Sequence, residues 1–190
     1  KVMDRQDFLW RATLLGALVS TATLMAACGG SDNDADEPSS YTITGKAVDG
    51  ALQGATACYD LNDNRACDAG EPTSAATAAD GSFSIAGIAP ADIGKHLVLV
   101  DVPASAIDAD TGAAVGRAFQ MAAPATDATA DHNVFVSPLS TLVLLQMDTA
   151  GQSRADAVAF VQSQLALAVS PLADFTVSGS ADNVKAAHAA

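Results

Sequence analysis

Residues 29–40, GGSDNDADEPSS, give a core nothing to bury, and they stand directly before a segment in which apolar side chains recur at every second position. A stretch so acidic and so poor in apolar groups cannot offset the entropy of ordering itself. Whatever folds therefore starts near Tyr41. From there Tyr41, Ile43, Gly45 and Ala47 alternate with Thr42, Thr44 and Lys46, the period of a half-buried strand. Asp49-Gly50 marks a turn, and Ala55, Ala57, Tyr59 and Leu61 alternate again as a second strand. Thr73–Ala78 and Ser82–Ile85 flank Asp80-Gly81, a dipeptide suited to a tight hairpin, with Phe83 and Ile85 facing inward. Leu97–Val100 is continuously apolar, as a central strand covered on both faces should be, and Arg117–Met121 suggests one strand more. Residues 41–133 read as a small β-sandwich.

From residue 134 the period lengthens. Ser137-Pro138 predicts a helix start, with serine as the cap and proline in the first turn. Leu139, Leu142, Val143 and Met147 follow at helical spacing. Ser153 and Asp156 have the spacing of a capping box, and Val158, Val161 and Leu165 continue the pattern. Two short helices joined through Thr149–Gln152 should form a hairpin packed on the sheet. The fold class expected for the chain is mainly β with α. Aromatic residues are only 5% of the sequence, so the core must be made from small side chains. A net charge of −13 leaves nothing to neutralise a phosphate backbone and opposes docking on an anionic bilayer. Nucleic acid is not an expected partner.

The segment before the acidic stretch has the layout of an export signal. Lys1, Arg5 and Arg11 outweigh Asp4 and Asp7, and residues 12–27 carry no charge. That apolar run is short of the ~20 residues a permanent membrane-spanning helix needs. Leu24-Met25-Ala26-Ala27-Cys28 resembles a bacterial lipobox, with Met25 departing from the usual choice at its position. The resemblance implies a signal peptide over 1–27, cleavage before Cys28, a lipid on Cys28, and a disordered tether over 28–40. Gly29 is compatible with transfer to an outer membrane. The expected localisation is thus exported and lipid-anchored in the cell envelope, with the membrane as a partner. Two or more acyl chains would anchor stably, each buried CH₂ contributing ~0.8 kcal/mol.

One segment carries chemistry. Numbered from Asp60, the run Asp60 to Glu71 places Asp60, Asn62, Asn64, Asp68 and Glu71 at positions one, three, five, nine and twelve, with the Ala66 carbonyl at seven. That is the oxygen spacing of an EF-hand loop, and calcium is the expected cofactor. Position six, ordinarily glycine, is Arg65. A side chain there costs on the order of 1 kcal/mol and brings a positive charge near the ligands. With Cys28 assigned to a lipid, Cys58 and Cys67 are left to pair. A disulfide between them would close the loop and contribute ~2–3 kcal/mol in the chain-entropy account. The alternative is an Asx-rich surface turn held by that disulfide without an ion.

Gly45-Lys46-Ala47-Val48-Asp49-Gly50, Gly54–Ala57, the loop itself and Thr77–Ile85 together resemble the B-type repeats of bacterial adhesins and carboxypeptidase-regulatory-like domains. This resemblance implies a prealbumin-type sandwich, a calcium loop, and a protein or polysaccharide ligand at the cell surface. No nucleophile elbow, phosphate loop or zinc-protease motif is present. His96, His132 and His188 are far apart, and Ser137 is better placed as a helix cap than as a nucleophile. The expected function is non-catalytic, structural or adhesive. The alternative is an accessory binding module of a longer exported enzyme whose catalytic domain lies beyond residue 190.

Overall fold

The computed structural model describes residues 39–125, 132–178 and 181–189. The expected signal peptide, Cys28 and all but the end of the tether lie outside them. Among the described residues the chain is mixed β with α, three small sheets and four helices.

β1 (Tyr41–Ala47) buries Ile43, Gly45 and Ala47 and exposes Thr42 and Thr44, the alternation its sequence predicts. It is the middle strand of the first sheet. β4 (Ser82–Ile88) lies antiparallel on one side, and β9 (Asn133–Val136) lies parallel on the other. Gly45 makes that close approach feasible: a Cβ there would stand 2.2 Å from the Val134 carbonyl oxygen and 2.6 Å from Cζ of Phe83.

The second sheet places β5 (Leu97–Val102) between β3 (Thr56–Asp60) and β8 (Phe119–Ala123), all antiparallel. Its continuous apolar run does sit in the middle strand. Ile43, Phe83 and Ile85 from the first sheet share one core with Ala57, Tyr59, Val98, Val100 and Met121 from the second. The third sheet is three two-residue strands, β2 (Leu52–Gln53), β6 (Ile107–Asp108) and β7 (Ala113–Ala114).

Two expectations are corrected. Residues 73–77 do not pair with β4, although Ala78 and Ser82 close the expected tight turn at Asp80-Gly81. The segment runs back along the outer edge of β3, where the Ser74 and Thr77 hydroxyls accept from the backbone N–H groups of Ala57 and Ala55 at 2.9 and 3.0 Å. Backbone bonds from Tyr59 N to Pro72 O, Ser74 N to Ala57 O and Thr77 N to Ala55 O run beside these side-chain bonds, and β4 pairs with β1. The boundary expected at residue 134 falls inside β9, because a four-residue strand followed directly by a helix offers too short a period to read.

α1 (Pro138–Ala150) starts as predicted: the Ser137 hydroxyl accepts from Ser140 N, and the Ser140 hydroxyl accepts in return from Ser137 N. Gly151, in the left-handed region at φ 62°, ends it. α2 (Arg154–Gln164) is capped by Ser153, and α3 (Phe175–Ser178) and α4 (Ala181–Ala189) come after it. Leu139 and Val143 pack with Ala157, Val161 and Phe175, giving the helices a core of their own. Leu144 packs the other way, on Cys58, Leu99 and Ala122 of the second sheet. α1 is therefore buried on two faces. No described helix is long and apolar enough to cross a membrane.

Candidate functional site

The loop expected to bind an ion begins where β3 ends. Asp60, its first residue, is fully buried, and its carboxylate shapes the next five residues: Oδ1 accepts from Asn64 N at 3.1 Å and Oδ2 from Arg65 N at 2.9 Å. Asn62 Oδ1 also accepts from Asn64 N, and Asn64 Oδ1 accepts from Ala66 N. These bonds coil the backbone through Asp63 and Arg65, both at positive φ, 56° and 67°. Asn62 Nδ2 and Asn64 Nδ2 then converge on one oxygen, Asp68 Oδ2, at 3.0 and 2.6 Å. Hydrogen bonds from these two amides hold the Asp68 carboxyl below the usual aspartate range. Glu71 Oε2 accepts from Asp68 N, while Glu71 Oε1 is buried without a hydrogen-bond partner.

The sharp turn forced on Arg65 is therefore present despite its side chain. Two contacts hold it: the N–H bond to Asp60, and a guanidinium nitrogen 2.9 and 2.8 Å from the two carboxylate oxygens of Asp148 on α1. The positive charge is engaged by a carboxylate outside the loop.

Cys58 and Cys67 form a disulfide with Cα atoms 5.7 Å apart. It ties the second half of the loop to the strand that supplies Asp60. Replacing both cysteines by alanine should lower stability by about 2–3 kcal/mol, read as a shift in the urea midpoint at constant slope. An unchanged midpoint would mean that the loop is held by its hydrogen bonds alone.

A second set of contacts gave no sequence signal. The buried Tyr59 hydroxyl donates to the Asp92 carbonyl at 2.7 Å and accepts from the backbone N–H groups of Lys95 and His96. The His96 ring meets Tyr59 edge-on, and its Nδ1 is 3.0 Å from Asp63 Oδ1 at the loop's fourth position. The partners are more than 30 residues apart, beyond any local spacing rule. His132 stacks edge-on with Tyr41, and His188 pairs with Asp110. Each histidine is engaged with a different segment.

What the loop offers a cation is mixed and specific. Among the described residues no three His, Cys, Asp or Glu side chains come together as a group that could hold a metal ion. The loop's donor set leans instead on amides and a carbonyl: Asn62, Asn64 and the Ala66 oxygen beside Asp60, Asp68 and Glu71. Carboxylate and amide oxygens carry two lone pairs, so an oxygen that accepts one N–H can still face an ion. The unpartnered Glu71 Oε1 fits a missing positive group. All-oxygen donors suit calcium, not a thiolate- or imidazole-seeking metal. Compared with known proteins, the chain matches no family model, no curated protein and no solved structure.

Proposed function

We propose that this chain is a non-catalytic, lipid-anchored protein of the bacterial cell envelope, structural or adhesive in role, whose β domain is stiffened by calcium. The observation that carries the calcium reading is the Asp60–Glu71 loop: a coiled backbone organised by a buried Asp60, and a buried Glu71 oxygen left without a donor. Asp60, Asn62, Asn64, Asp68 and Glu71 would hold the ion with the Ala66 carbonyl. The ion would supply a fixed double charge joining the two ends of the loop. To bind it, the amides of Asn62 and Asn64 exchange their bonds to Asp68 for contacts through oxygen.

Two three-stranded sheets sharing one core support reading the β portion as a prealbumin-type sandwich, as in adhesin B-type repeats. Such a module presents a protein or polysaccharide ligand site at the cell surface. The anchor rests on Leu24–Cys28, and the acidic residues 29–40 would hold the domain away from the bilayer.

Calorimetric titration of the full chain with calcium tests the ion. Saturable binding is expected with a Kd of roughly 10⁻⁴–10⁻³ M, the range of extracellular calcium modules. At a hundredfold excess over Kd, calcium should stabilise the fold by about 2.7 kcal/mol against chelator. No heat, with equal unfolding midpoints in calcium and chelator, would reduce the loop to a disulfide-held turn. The anchor has its own test. In a bacterial host Cys28→Ser should abolish incorporation of labelled fatty acid, and a parent chain that takes up no label removes the lipoprotein assignment.

A further inference from the structure

We infer that Asp148, on α1, is a positioning residue for the Asp60–Glu71 loop, holding Arg65 so that position six keeps its turn and its positive charge stays off the cation's ligands. The inference rests on the calcium reading of that loop.

Three observations carry it. Arg65 occupies the position where the loop turns most sharply, at φ 67°, and its own N–H is bonded to the first ligand, Asp60. A displaced Arg65 backbone would therefore pull on a ligand directly. Second, the Arg65 guanidinium reaches both oxygens of Asp148, 83 residues away in sequence. Third, Asp148 is oddly placed unless it serves a partner. It sits in the last turn of α1, where the helix dipole disfavours an anion, and that turn contains no basic residue. Arg65 brings the cation this helix end otherwise lacks.

The same helix face reaches the loop twice. Leu144 and Asp148 are four residues apart and so lie one above the other on α1. Leu144 packs on Cys58, with Cys67 of the loop at the edge of the same apolar cluster. Asp148 holds Arg65 one turn further on. α1 thus seats the disulfide and the left-handed turn together. Ion binding and the seating of α1 are linked, and the linkage is reciprocal: whatever α1 contributes to calcium affinity, calcium returns to the seating of α1.

Both side chains are partly exposed, 42% for Arg65 and 45% for Asp148, so the pair is a modest one and the effect on affinity should be severalfold, not orders of magnitude. The experiment is calcium titration of the full chain as the parent, Asp148→Asn, Arg65→Gly, and the double variant, together with hydrogen exchange of α1 amides with and without calcium. Asp148→Asn should weaken binding about threefold to fivefold. On the Arg65→Gly background, where no guanidinium needs holding, the same change should leave Kd within about a factor of two. Asp148→Glu should recover part of the loss. Calcium should slow exchange around residues 144–148 in the parent and do so less in Asp148→Asn.

A purely structural role for Asp148 predicts the opposite sign or nothing, because removing an anion from a helix C-terminus favours the helix. Equal weakening on both backgrounds would reveal only the loss of one distant charge and would overturn the inference. So would an unchanged Kd in Asp148→Asn. Absence of calcium binding by the parent itself overturns the calcium reading and this inference with it, which separates that failure from the other two.

Discussion

Asp60→Ala should abolish calcium binding and lower stability by about 1–2 kcal/mol even in chelator. The two effects come from one carboxylate. Asp60 is fully buried, and its oxygens accept the N–H groups of Asn64 and Arg65. Alanine removes the first ligand and both acceptors; the Asn64 N–H keeps Asn62 Oδ1, so the Arg65 N–H is the donor orphaned, at about 1–3 kcal/mol wherever water cannot replace the acceptor. The exposed Arg65 backbone recovers part of that from solvent, which keeps the loss in the lower half of the range. Urea unfolding in chelator measures the structural part, and calorimetry measures the ion. Asp60→Asn separates them further, since an amide retains one acceptor but loses the charge. Ordinary stability of Asp60→Ala in chelator would mean that the loop is coiled by the asparagines without help from the strand.

Gly45→Val should be worse still, with a loss of about 4 kcal/mol or more and little soluble protein. The added Cβ would meet the Val134 carbonyl oxygen at 2.2 Å, and both that oxygen and the Phe83 ring would have to move. Backbone cannot retreat as the tip of a side chain can. β9 would be pushed from β1, and with it the chain that leads into α1. Thermal unfolding of Gly45→Ala, which adds the Cβ alone, checks the same contact with a gentler probe. A midpoint indistinguishable from the parent's would show that β9 is held loosely. Thr42→Val, on the exposed face of the same strand, should be nearly neutral.

These two positions mark how far the sequence could be read. The Asp60–Glu71 run stood out as a spacing because twelve residues are local, and β1 was legible because two-residue alternation survives without knowledge of its neighbours. Ser137 likewise announces α1 within four residues. Gly45 stood in the alternating pattern, but its real duty, making room for a parallel strand, depends on residues almost ninety positions later. Leu144 fell outside the expected helical stripe because the stripe describes only one buried face. Ser74 and Thr77 looked like partners of β4 and instead line the edge of β3, bonding it through hydroxyl and backbone N–H alike. Arg65 reads as a defect in the loop on sequence alone, and only the fold brings Asp148 across to hold it. Local periodicities were recoverable; pairings set by the path of the chain were not.

The burial of Cys58 has a chemical consequence. Thiol–disulfide exchange proceeds by attack of a thiolate along the bond to one sulfur, with the other departing. Cys58 is fully enclosed by Leu99, Ala122 and Leu144, whereas Cys67 is partly open. An incoming reductant must therefore strike Cys67 and expel Cys58 as a thiolate into an apolar enclosure, where a bare charge is poorly accommodated. Attack from the other direction waits for α1 to lift. The helix that lies across Cys58 closes one direction of attack and the route through Cys67 is slowed by its leaving thiolate, so the bridge should outlast an exposed disulfide in the same reducing medium.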